Sequence, residues 1–307
     1  MISAISVLGA GLATGGRPRM ASAQATPQVG VQTGHVATEG DELVFDVRGQ
    51  GEPLLLIPGG TGDASAYSLV AERLAPAYTV ITFDPRGYGR STWRDPQNYE
   101  IGQQARDVVA VLAAAGYDAA RIFGSSSGAV IGLEMAKSHP QAVTGLIAHE
   151  PPVIRILPDA EQIQTGFAEV YLRGWTDGPE RAFLQFLKFI QLPVNDGQPL
   201  TDEDIAHIRE DPDSLKRLPN VSSFVRYEML PVANYKPDVQ LIKENGVKVV
   251  LGVGELSLDK IYGRTAPLLA EQLDYPLVTF PGHHTSYAEP DVIDAWVASL
   301  RAALREL

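Results

Sequence analysis

Short apolar runs alternate with stretches of helical spacing along most of this 307-residue chain, the rhythm of an α/β protein. Leu54-Leu55-Leu56-Ile57 is apolar at every position, as a strand buried on both faces must be. Residues 42–48 and 53–58 read as strands joined by Gly49-Gln50-Gly51-Glu52, a hairpin signal that predicts an antiparallel start to the sheet. A helix is expected around 66–74, a strand over 78–83, and a helix over 99–115 with Ile101, Val108, Val109 and Leu112 on one side and Gly116 as its stop. Apolar strands at 121–125 and 143–148 flank a further helical run. Between Pro152 and Pro237 strand signals vanish and aromatic residues become dense, with Phe183, Phe186, Leu187 and Ile190 recurring on one helical face. Alternation resumes with strands over 247–253 and 276–280, a helix over 262–273, and an amphipathic helix from about Asp291. The pattern divides the chain into an α/β core, residues 31–152 and 237–307, and a helical insertion over 153–236. It contains no repeats.

Charge and composition narrow the partners. A net charge of −12 and a pI near 4.9 argue against nucleic acid or an anionic membrane surface. The chain has no cysteine, which excludes disulfides, thiolate metal sites and a cysteine nucleophile. We expect no metal and no cofactor. Residues 1–30 differ from the rest: the apolar run from Ile2 to Ala13 and the later Ala21-Ser22-Ala23 resemble an export signal and its cleavage site, although no basic residue precedes the run and Arg17 and Arg19 follow it. The expectation is a leader or export signal, with an exported location ahead of a cytoplasmic one. Elsewhere no stretch reaches the roughly 18 apolar residues of a membrane span. The acidic residues Asp202, Glu203, Asp204, Glu210, Asp211 and Asp213 read as a solvated face.

The chemistry gathers at Arg121-Ile122-Phe123-Gly124-Ser125-Ser126-Ser127-Gly128-Ala129-Val130, an apolar strand that ends in Gly-x-Ser-x-Gly and passes into a helix. In a glycine-rich chain the pentapeptide alone carries little weight; the strand before it and the helix after it make it a nucleophile elbow with Ser126 at the tip. The following helix would direct the positive end of its dipole at a developing oxyanion. Pro58-Gly59-Gly60-Thr61-Gly62 leaves the Leu54–Ile57 strand as a candidate oxyanion loop, in which Gly60 offers an unobstructed N–H. The same loop through Ser65 approximates Gly-x-Gly-x-x-Gly with Asp84 at the distance of a ribose-binding acid, but serine replaces the third glycine. Asp84 and Arg86, in Asp84-Pro85-Arg86-Gly87-Tyr88-Gly89-Arg90-Ser91, are expected to brace their turn through charge-assisted hydrogen bonds rather than to catalyse.

Taken in order, the Pro-Gly-Gly loop, Asp-Pro-Arg-Gly-Tyr-Gly-Arg-Ser, Gly-Ser-Ser-Ser-Gly and Pro281-Gly282-His283-His284 resemble the α/β-hydrolase family from about residue 35 onward. The resemblance implies a mostly parallel sheet of about eight strands flanked by helices, with its site at the strands' C-terminal ends. It also implies a triad in the order serine, acid, histidine. Ser126 is the expected nucleophile, His284 the base in preference to His283, and Gly60 and Ser127 the oxyanion donors. The usual acid position, Gly-x-x-Asp after the penultimate strand, is here Gly254-Glu255-Leu256-Ser257, so the acid has moved. Glu150, in His149-Glu150-Pro151-Pro152, is similar to the acid of the branch that contains resorcylic lactone hydrolases; Asp259 and Glu255 are the alternatives. The implied activity is hydrolysis of an apolar ester or lactone through an acyl-enzyme beneath a cap, the 153–236 insertion. A C–C hydrolase, a cofactor-free perhydrolase and a hydrolase-fold protein that only binds a small ligand are the competing readings.

Overall fold

The structure, a computed structural model, describes residues 30–192 and 212–307, with 212–217 described by their backbone alone. Residues 1–29 of the leader expected over 1–30, and the acidic residues from Asp202 to Asp211, lie outside the described residues.

Eight strands form one sheet: β1 (Gln32–Thr38), β2 (Asp41–Arg48), β3 (Glu52–Ile57), β4 (Tyr78–Phe83), β5 (Ala120–Ser125), β6 (Val143–His149), β7 (Val249–Gly254) and β8 (Leu277–Phe280). Their order is β1-β2-β4-β3-β5-β6-β7-β8, and every pairing from β4 to β8 is parallel. The antiparallel start is present, but not as the hairpin that the Gly49-Gln50-Gly51-Glu52 signal suggests. β2 and β3 do not pair; β4 lies between them. Two physical reasons account for this. β3 is apolar on both faces and takes the centre of the sheet, with parallel neighbours on either side. The glycines serve a crossing instead of a hairpin: both have positive φ, and a Cβ on Gly49 or Gly51 would stand 2.4 Å from the carbonyl of Tyr78 or Ala77, at the start of β4. The hairpin in the structure joins β1 to β2 through Glu39 and Gly40, both at positive φ, as a two-residue turn between right-twisted strands requires.

Alternate residues along the central strands feed two cores. Leu55 and Ile57 of β3 enter one with α2 (Ile101–Ala114), α3 (Ser127–Ser138), α8 (Val239–Glu244) and α9 (Thr265–Leu273). Leu54 and Leu56 enter the other with α1 (Ser68–Leu74) and α10 (Ile293–Glu306), around a fully buried Trp296. The insertion leaves after β6 and returns before β7 as α4 (Ala160–Thr176), α5 (Pro179–Phe189), α6 (Pro212–Ser223), a π-helical turn (Phe224–Glu228) and α7 (Met229–Asn234). Its aromatic stripe has a core of its own: Phe183, Leu187 and Ile190 pack with Phe167, Val170, Phe224 and Val225. The described residues contain no helix long and apolar enough to cross a membrane.

Candidate active site

Because the central strands are parallel, the loops after β3, β5, β6, β7 and β8 all leave the same edge of the sheet. Ser126 stands between β5 and α3 with φ 57° and ψ −124°, a conformation costly for any residue with a side chain. The flanking glycines make the turn sterically feasible. A Cβ on Gly124 would lie 2.2 Å from the carbonyl of Gly128, and one on Gly128 would lie 2.2 Å from the carbonyl of Ile57. Ser126 N–H donates to His149 O at 2.9 Å, pinning the turn to the neighbouring strand. The β3 loop runs directly alongside: a Cβ on Gly59 would sit 2.9 Å from that of Ser126. Ser127 opens α3, so its N–H has no acceptor within the helix.

Glu150 follows the last residue of β6 and takes φ 47°. That turn redirects its side chain, while His149 keeps the strand's alternation and packs against Phe123, Phe280 and Trp296. The buried Glu150 carboxylate accepts from Gly254 N–H at 2.7 Å and from His284 Nδ1–H at 2.5 Å. Burial alone would raise its pKa; the imidazoles of His149 and His284 and the Gly254 N–H outweigh burial and bring it down to about 2. Burial lowers His149 to about 4, so its ring is neutral at pH 7. The Tyr262 ring covers His284 at a centroid distance of 4.4 Å.

The alternative carboxylates are used elsewhere. Asp259 is exposed and pairs with Lys260 at 3.0 Å, and Glu255 accepts from Gly282 N–H at 3.2 Å. Ser257, at the family's usual acid position, is buried. The adjacent histidines also part: His283 pairs with Glu289 at 2.7 Å. Asp84 accepts from Ala64 N–H and from the backbone and guanidinium of Arg90, which leaves it engaged where a ribose-binding acid must be free. Arg86 reaches beyond its own turn to Asp107 of α2 and Asp41 of β2, fully buried.

Three of the six non-glycine residues with positive φ among the described residues, Thr61, Ser126 and Glu150, lie at this sheet edge. Strain of this kind persists where the surroundings over-determine it. Thr61 shows how: Asn220 of α6 donates to its carbonyl at 3.1 Å and accepts from Gly89 N–H at 3.1 Å, tying the insertion to two loops of the core. Phe224 packs on Gly60, where a Cβ would stand 2.3 Å from the ring, and Tyr88 Oη–H donates to the buried Glu228. Sequence reasoning missed Asn220 and Glu228. Neither carries a sequence signal: Glu228 stands among Arg226, Tyr227 and Met229 as one more polar residue of a helical stretch.

A sequence profile of the alpha/beta hydrolase fold matches residues 52–206. The uncharacterized hydrolase YraK of Bacillus subtilis strain 168 is 31% identical over 262 residues, 84% of this chain and 91% of the relative. The crystal structure of an alpha/beta hydrolase from Sphaerobacter thermophilus DSM 20745 superimposes with a TM-score of 0.61 at 25% identity, covering 88% of this chain and all of that one. A thermophilic esterase from Thermogutta terrifontis shares the fold with a TM-score of 0.67 at 20% identity, covering 90% and 98%. With the eight-stranded sheet and the strand-to-helix turn at Ser126, these matches make the chain a hydrolase of the α/β-hydrolase family.

Proposed function

We propose that this hydrolase cleaves a carboxylic ester or lactone of an apolar small molecule through an acyl-enzyme on Ser126. The observation that carries the reading is the buried hydrogen bond from His284 Nδ1 to Glu150, on the same sheet edge as the strained Ser126 turn. A carboxylate on Nδ1 fixes the tautomer in which Nε2 is the free base, and it stabilises the imidazolium that forms when that nitrogen takes a proton.

In this mechanism His284 removes the Ser126 proton as Oγ attacks the carbonyl carbon. The N–H groups of Gly60 and Ser127 hold the oxyanion, each worth about 3 kcal/mol. The protonated His284 then gives its proton to the leaving alkoxide. Water, deprotonated by the same ring, releases the acid; general-base help of this kind contributes about 10² to 10⁴-fold. Residues 153–236 act as the cap. The aromatic cluster of α4, α5 and the π-helical turn supports an apolar acyl or lactone ring as the group it covers.

The test is a panel of p-nitrophenyl esters of graded chain length beside aliphatic and aromatic lactones, assayed with the wild type and with Ser126→Ala. Turnover that rises with apolar bulk and disappears in the variant supports the reading. Turnover that survives in Ser126→Ala removes it.

A further inference from the structure

The insertion meets the nucleophile turn through one helical irregularity. Phe224–Glu228 is a π-helical turn between α6 and α7, and such turns gather at functional sites because the extra residue re-aims the side chains around it. Its first residue, Phe224, lies on Gly60. Its last residue, Glu228, is 4% exposed, takes a hydrogen bond from Tyr88 Oη, and lies near the hydroxyl of Ser127, the residue after the nucleophile. One turn of the insertion therefore touches both residues assigned above to the oxyanion hole.

We propose that Glu228 is a positioning residue for those donors, bridging Tyr88 and Ser127 so that the start of α3 is held in place and Phe224 is kept down on Gly60. The inference rests on the reading of Ser126 as nucleophile. The ionisation of Glu228 bears on that role. From the loop after β4 the carboxyl is faced by Tyr88, from the approach to α2 by Tyr99, and from α3 by Ser127. Burial pushes its pKa up, ahead of the lowering by the Ser127 and Tyr88 hydroxyls. Once ionised, it would place a negative charge beside the residue whose N–H must receive another. Activity is therefore lost on the alkaline side as Glu228 gives up its proton.

The experiment compares pH profiles of kcat and KM for wild type, Glu228→Gln and Glu228→Leu on one p-nitrophenyl ester, with fluorophosphonate labelling and the infrared carbonyl stretch of a protonated carboxyl measured alongside. Glu228→Gln, neutral at every pH, should keep kcat within about threefold of the wild-type plateau and lose the alkaline limb. Glu228→Leu should lower kcat by about tenfold or more with KM little changed, the pattern of a lost transition-state interaction. The protonated-carboxyl band should be present in the wild type and absent from Glu228→Gln. A wild type that labels while Glu228→Gln keeps the full alkaline limb, or that lacks the infrared band, overturns the positioning role and leaves the nucleophile reading intact. This comparison needs only the isosteric variant, so it decides even where Glu228→Leu does not fold. A wild type that resists the fluorophosphonate removes the nucleophile reading, and the positioning role falls with it.

Discussion

His284 Nδ1 lies 2.5 Å from Glu150 Oε2, although 134 residues separate the two in the chain and the family's usual acid position holds Ser257. The contact is possible because Glu150 leaves β6 in a left-handed conformation and its other oxygen is fixed by Gly254 N–H at the end of β7. A carboxylate held from two strands gives the ring one orientation. Glu150→Gln should therefore lower kcat by about 10³ to 10⁴-fold, the cost of losing the anion and the tautomer it selects. Asp259→Asn and Glu255→Gln should each stay within about threefold. Steady-state kinetics of the three variants on one ester decides; a severe loss in either of the latter two would move the acid away from Glu150.

The elbow glycines make a prediction about stability. At Gly124 and Gly128 the atoms that a methyl group would meet are backbone carbonyls at 2.2 Å, which cannot swing away as a side chain can. Gly124→Ala and Gly128→Ala should each cost about 3 kcal/mol or more, the upper range of overpacking, and accumulate poorly as folded protein. Urea unfolding of whatever is soluble measures this; a midpoint unchanged from wild type would contradict the turn geometry.

At Gly60 the obstacle is a side chain, and the prediction differs in kind. Gly60→Ala should push the Phe224 ring aside and reduce kcat/KM by about tenfold, and Phe224→Leu in the same chain should recover much of it by making room. A double-mutant cycle on kcat/KM reads the coupling. Strict additivity of the two substitutions would mean that the ring and the β3 loop do not share the space.

Two groups at the site link stability to acid, both with the same sign. His149 titrates near 4 in the fold against 6.5 when exposed, so the unfolded chain binds more protons between those values and stability falls as pH drops through that window, by about 3 kcal/mol. Glu150 lies near 2 against 4.5, and its contribution is lost as pH drops from 4.5 towards 2. Acid sensitivity should therefore begin below pH 6.5. In His149→Gln, which carries no titrating ring, urea midpoints should be flatter between pH 6.5 and 4 and fall steeply only beneath that. A wild-type midpoint constant from pH 7 to 4.5 would contradict burial of a neutral His149.

What could be read from the chain depended on how local the physics was. β3, β4, β5 and β6 stood out because buried strands are largely apolar runs stopped by glycine, proline or a charge. β1 did not: it is an edge strand with four of its seven residues exposed, and nothing in Gln32–Thr38 separates it from a loop. The pairing of β2 was misread because a four-residue glycine-rich connection looks the same whether the next strand turns back or crosses over β4. At the site, Ser126 and His284 were legible from motifs whose glycines have a steric purpose. Glu150 came from resemblance, since its approach to His284 depends on a positive φ that no sequence rule assigns to glutamate. Glu228 was invisible as a site residue because its importance lies in what buries it, two loops and a helix far away in sequence.

The central claim is that Ser126 is a nucleophile activated by His284. Reaction with a fluorophosphonate followed by peptide mass spectrometry tests it most directly. The account predicts one adduct per chain, on the peptide containing Gly124-Ser125-Ser126-Ser127-Gly128 and localised to Ser126, with labelling abolished in Ser126→Ala and slowed at least about a hundredfold in His284→Ala. Labelling at another residue, or at an unchanged rate in His284→Ala, would contradict it.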